Sequence, residues 1–160
     1  MKTTALMLLA AATLAAATLY AQEGSAPAAA PAPAAAAAPA APAASATTND
    51  GIGTDAQVKR GADTYSMQCA SCHDPQLAGS GTAPPLAGSD FQANWKDDNV
   101  GSLFERIRAT MPADNPGSLK RDQVADLVTF ILNFNKVPLA DKELPTDFDA
   151  LKAIKITDPK

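Results

Sequence analysis

The sequence predicts an all-α domain over residues 54–160, and three observations carry that expectation. Val124, Leu127, Val128, Ile131 and Leu132 recur at i, i+3, i+4, i+7 and i+8, an apolar stripe with the period of a helix. Val100, Leu103, Phe104 and Ile107 repeat that period on a second stretch, and Val58, Ala62 and Tyr65 on a third. The segments between them are punctuated by Pro and Gly, as loops are.

Composition divides the 160 residues into an Ala/Pro-rich first third and a mixed remainder, and only the remainder can build a core. Its roughly 107 residues are few for a deep apolar interior, because small domains bury a limited share of their surface. The formal net charge is −4, and it becomes one unit more negative if Lys2 leaves with a leader. Such a balance argues against nucleic acid, whose phosphates call for clustered Lys and Arg. It favours a basic surface on any charged partner.

Residues 1–21 read as a secretory leader. Met1 and Lys2 are followed by an uncharged stretch from Thr3 to Gln22, within which an apolar run from Ala5 ends in small residues. Ala15 and Ala17 frame one cleavage site. A cut after Ala21 places Leu19 where a small residue is preferred. An uncleaved membrane anchor is the alternative, since 20 uncharged residues just span a bilayer. Export follows either way. Residues 22–53 form the expected linker, with Pro27, Pro31, Pro33, Pro39 and Pro42 interrupting the alanines. The longest uninterrupted run, Ala34 to Ala38, is far below the roughly 12 to 15 residues an isolated helix needs. Its Ala/Pro core, residues 24–49, is expected to be a disordered, semi-extended tether reaching roughly 80 Å.

Asp55 to Met67 reads as the first helix of the domain, with Asp50, Thr54 or Asp55 able to cap it. Gly61 inside it costs about 1 kcal/mol of helix propensity, which points to a close approach by another backbone. Directly after it stands Cys69 Ala70 Ser71 Cys72 His73, of the form CxxCH. This is the attachment signal of c-type haem. Two thiols three positions apart in a helical turn share a face, so both can form thioethers to the two vinyl groups of one porphyrin. His73 then supplies the proximal imidazole. A structural zinc site needs four Cys or His ligands, and the chain holds two cysteines and one histidine. A redox dithiol belongs near a βαβ pattern, which does not follow here. One haem also supplies the large apolar group that a small core with one Trp, two Tyr and five Phe lacks.

Asp74 to Ser89 is a Pro/Gly-rich loop that would wrap the proximal side. Phe91 and Trp95 follow among polar residues. Trp95 is either core or an indole donor to a haem propionate. Val100 to Ala109 is the second main helix, flanked by Arg106 and Arg108, each either solvated or paired with a propionate. The distal ligand follows from elimination. Of four methionines, Met1 and Met7 lie in the leader and Met67 is two residues before Cys69. Met111, 38 residues after His73, has enough chain to pass around the porphyrin edge, and a thioether is the soft ligand suited to an electron-transfer haem. Pro112 keeps that turn out of the helix. Residues 120–135 form the third main helix, where Lys120 before Gln123 leaves half a capping box. A short helix around Leu151 and Ile154 ends the chain.

The region from about residue 57 to 154 resembles the class I c-type cytochromes. Gly61 and Tyr65 before CASCH are similar to that family's first helix, which packs on its last. Pro84 Pro85 Leu86 resembles the family's Pro-x-Leu segment, which implies that the Pro84 carbonyl accepts the proximal imidazole N–H. Met111 to Leu119, reading MPADNPGSL, with Asn94 Trp95 and Glu143 Leu144 Pro145, resembles cytochrome c subunits and domains that partner quinoprotein (PQQ-dependent) dehydrogenases. The resemblance implies the cytochrome c fold, three main helices wrapped around one covalent haem.

The site residues expected are therefore Cys69, Cys72, His73, Met111, Pro84 and Trp95, with His73 and Met111 on the iron and no catalytic residue. The expected function is periplasmic single-electron transfer, soluble or tethered to the inner membrane, from a dehydrogenase to a terminal oxidase or another cytochrome. The rival is a haem-based ligand sensor or small peroxidase in which Met111 dissociates.

Overall fold

Thr54 sets the start of the first helix: its side-chain oxygen accepts the Gln57 amide at 3.3 Å, and helix α1 runs from Asp55–Gln68. The computed structural model describes residues 46–160, Thr82 excepted. After α1 come α2 (Ala70–His73), α3 (Gly88–Trp95), α4 (Val100–Thr110), α5 (Arg121–Phe134) and α6 (Phe148–Lys152). The domain is mostly helical, as expected. A two-residue parallel pair, β1 (Ala46–Thr47) with β2 (Ile154–Lys155), is the strand content beyond isolated bridges among the described residues.

Helix α1 packs chiefly on α5, and Gly61 makes that possible. A β-carbon there would overlap the Asp126 carbonyl oxygen and lie 2.7 Å from its carbon and 2.8 Å from Phe130 Cβ. The face of α1 that is buried is Gln57, Gly61, Thr64 and Tyr65, with Val58 and Ala62 only half-buried at its margin. The polar members of that face are satisfied. Gln57 donates to the Leu144 carbonyl at 3.2 Å and accepts the Leu144 amide at 2.6 Å, while Thr64 donates to Arg60 O at 3.0 Å. Asp126 is buried at this crossing, and Arg60 donates to it through Nε at 2.7 Å and Nη2 at 2.8 Å. Without that partner the buried carboxylate would be uncompensated.

Helices α4 and α5 enclose the core through Val100, Leu103, Phe104, Val124, Val128 and Leu132, all buried. Asn99 caps α4 by accepting the Ser102 amide at 2.9 Å. At α5 the Gln123 side chain accepts the Lys120 amide at 3.0 Å, and the lysine side chain, having no acceptor, returns nothing. That is the half-built capping box the sequence implies.

Three expectations need correction. Residues 88–95 form a helix, α3, where the sequence shows a loop ending at Ser89 and a short polar stretch after it. Its apolar pattern is too short to register, with Phe91 alone fully buried. Ile154 lies in β2 rather than in the last helix. Residues 46–53, which the sequence assigns to the linker, pack with the domain, where Thr48 and Ile52 are buried. The Thr157 amide donates to Thr48 Oγ1 at 3.0 Å, and Asn49 Nδ2 donates to Thr157 Oγ1 at 3.0 Å and to Asp158 O at 2.9 Å. These side chains hold the two ends of the domain together. The expected leader and residues 22–45 of the expected linker lie outside the described residues.

Gly61→Ala tests the α1–α5 crossing. Overpacking of about 3 kcal/mol outweighs about 1 kcal/mol gained in helix propensity, so urea denaturation should show a net loss near 2 kcal/mol. Asn49→Ala removes two hydrogen bonds at the join of the termini. It should cost about 1 kcal/mol and speed hydrogen exchange at residues 154–157 more than in α5.

Candidate functional site

Helix α1 ends where the CxxCH pentapeptide begins, and Cys69 still donates its amide to Tyr65 O at 2.9 Å. The next turn, α2, carries the motif: the Cys72 and His73 amides both donate to Cys69 O, at 3.1 and 2.9 Å. Tyr65 braces this turn from within the core, its hydroxyl donating to Asp74 O at 2.7 Å. Both cysteines are free thiols; Cys72 is exposed and Cys69 half-buried. Burial, with Cys72 beside it, pushes the Cys69 thiol up to about 11.

His73 is buried, and its Nδ1 lies 2.9 Å from the Pro84 carbonyl oxygen. A carbonyl only accepts, so Nδ1 carries the proton and Nε2 presents a lone pair. Gly79 shapes the loop that makes this contact. It sits at φ 76°, and a β-carbon there would lie 2.7 Å from both Ala83 O and Pro85 N. The loop doubles back on itself through Gly79 N to His73 O at 2.9 Å and Leu86 N to Leu77 O at 2.8 Å. Its far end is fastened to α5 by Asn135, which donates to Leu86 O at 2.9 Å and accepts the Gly88 amide at 2.9 Å.

Cys69, Cys72, His73, Pro84, Trp95 and Met111 all line one cleft of about 1110 Å³. That is slightly above the roughly 300–1,000 Å³ typical of small-molecule and cofactor sites. Met111 is the first residue beyond α4, extended and half-buried. Trp95 closes α3, half-buried, its ring 6.4 Å from that of Phe91. The walls are Leu103 and Ile107 from α4 and Leu127 and Ile131 from α5. The sequence places Leu127 and Ile131 on a stripe that packs on α1; they also face the cleft, and no spacing in a single helix reveals that second duty. Asp98 and Asp114 line the cleft as well, and neither stands out in the sequence.

The donor set fits an iron porphyrin. It brings together two thiols on one turn, an imidazole whose Nδ1 is already bound, a thioether from another element and apolar walls.

Residues 56–131 match the family described as cytochrome C oxidase, cbb3-type, subunit III. No curated protein matches the chain. Among solved structures, the sulfane dehydrogenase SoxCD from Paracoccus pantotrophus is similar at 21% identity with a TM-score of 0.41, over 50% of this chain and 44% of that one. The chain thus spans less than half the length of that protein's chain.

Tyr65 supplies a test of the brace beneath the motif. Burial first, then Cys69 and Asp74 nearby, push its hydroxyl up to about 12 from an ordinary 10. A raised folded-state pKa gives stability that is whole below pH 10 and is lost as pH rises from 10 through 12. Tyr65→Phe should cost about 1 kcal/mol at pH 7, and its deficit against wild type should narrow between pH 10 and 12. A deficit constant with pH in urea titrations would count against the assignment.

Proposed function

We propose that this chain, which carries a c-type cytochrome domain with covalently bound haem c, is a mono-haem electron carrier working outside the cytoplasm. It takes single electrons from a dehydrogenase and passes them to a terminal oxidase or another cytochrome. The observation that carries this reading is the convergence of the CxxCH turn and Met111, from separate elements, on one apolar-walled cleft.

In that cleft Cys69 and Cys72 would hold the ring through thioethers. His73 would ligate through Nε2. The Pro84 carbonyl holds the Nδ1 proton, which fixes the tautomer, orients the imidazole and makes it a better donor. Met111 would supply a thioether ligand, and the haem would supply a one-electron couple. With an imidazole and a thioether both offered to the iron by the chain, no ligand position would be left for a substrate, which favours transfer over catalysis. Leu103, Ile107, Leu127 and Ile131 exclude water, and methionine ligation together with a dry cleft raises the potential. A high-potential acceptor follows. Docking belongs to the brief, small class below roughly 1,200 Å². The matched family's description names an oxidase subunit, which suits a carrier working beside or within a larger complex. A cleaved leader leaves a soluble periplasmic protein, and a retained one tethers it to the inner membrane. No helix among the described residues is long and apolar enough to cross a membrane.

The absorption spectrum of the haem-loaded protein tests the ligand set. Oxidised wild type should show the weak far-red sulfur-to-iron charge-transfer band, and Met111→Ala should lose it and bind carbon monoxide promptly. A wild type that lacks the band and itself binds carbon monoxide at once would put the sensor or peroxidase reading in its place.

A further inference from the structure

The four arginines of the chain differ in what they face. Arg60 holds Asp126 at 2.7 Å and Glu143 at 2.8 Å, Arg108 holds Glu105 at 2.8 Å, and Arg121 reaches the same carboxylate at 3.8 Å. Arg106 takes part in none of the ion pairs among the described residues. Its position is nonetheless specific. Leu103, Arg106, Ile107 and Thr110 share the face of α4 that lines the cleft, at the spacing i, i+3, i+4 and i+7. No other Arg or Lys lines that cleft among the described residues, and the carboxylates that do are Asp98 and Asp114. Asp98 Oδ1 already accepts from the Asn99 amide at 2.7 Å and from Asn99 Nδ2 at 3.1 Å.

A haem held by thioethers at its vinyl edge carries two propionates on the opposite edge, so their partners must come from elements other than the CxxCH turn. Helices α3 and α4 bring Asn94, Trp95 and Arg106 to the cleft. A carboxylate against an apolar wall is costly unless paired, and a planar guanidinium suits a carboxylate better than an ammonium does. We propose that Arg106 is the charge partner of a haem propionate and, through it, holds the reduction potential up. The inference rests on the haem occupying this cleft. Its sign follows from Coulomb's law: losing an electron adds positive charge at the iron, so negative charge nearby favours the ferric state. Arg106 offsets the propionate, and Asp98 and Asp114 work the other way.

Redox titration of haem-loaded wild type, Arg106→Gln, Arg106→Lys and Arg108→Gln tests this. Arg106 is exposed and free of ion pairs, so its variants should fold. Arg106→Gln should shift the equilibrium about tenfold toward ferric, a fall of about 59 mV for one electron, while Arg106→Lys recovers most of it. Arg108→Gln, whose partner is Glu105 on the same helix, should leave the potential near wild type. An unchanged potential in Arg106→Gln, or an equal fall in Arg108→Gln, overturns the proposal. The far-red band separates the two failures. If wild type keeps the band and Arg106→Gln keeps the potential, Arg106 alone is misassigned; if wild type lacks the band, the carrier reading fails whatever the arginines do.

Discussion

Helices α1 and α5 touch backbone to backbone at Gly61 and Asp126, and the geometry of the cleft is downstream of that contact. The closeness buries the Asp126 side chain, which in turn requires the Arg60 guanidinium. One turn beyond Gly61, Tyr65 is driven into the interior, where its hydroxyl reaches Asp74 O and its ring packs 5.3 Å from Phe130. The CxxCH turn lies between Tyr65 and Asp74 along the chain. Its orientation toward the cleft therefore depends on a glycine two helical turns before it.

The opposite wall is assembled by a different device. The loop from Asp74 to Ala87 has little regular structure, and it is held by single contacts at Gly79, at the His73–Pro84 pair and at Asn135. Each constrains backbone rather than burying a large side chain. A proximal imidazole gains from this, because its orientation and tautomer are set by a carbonyl that the loop cannot easily move. Charge completes the site: two carboxylates and a single unpaired guanidinium around an apolar interior give the cleft a polarity that its hydrophobic walls do not suggest.

The legible part of the molecule is the part written in short spacings. CxxCH states its chemistry within five residues, the stripes of α4 and α5 show within a few turns, and Gly61 announces a close neighbour by its cost to the helix. Met111 is reached by elimination within a chain of four methionines, and the Met111 segment together with Pro84 Pro85 Leu86 supplies the likeness to a known family. Helix α3 escapes notice because eight residues with one fully buried apolar side chain have no period to read. Leu127 and Ile131 are visible as apolar but not as walls of a cleft.

By itself, then, the sequence determined the mostly helical class and the covalent haem signal, since each depends on residues close together in the chain, and it nominated His73 and Met111 as the imidazole and sulfur donors. Only the tertiary structure decided that Thr48 and Asn49 belong to the domain, that Asn135 pins the loop, and that Arg106 rather than Arg108 faces the cleft. Thr48 and Thr157 lie 109 positions apart and Asn135 and Leu86 lie 49 apart. Arg106 and Arg108 differ by two positions, about 200° around a helix. Local spacing shows that they point apart, and only the packing of α4 against its neighbours says which one borders the cleft.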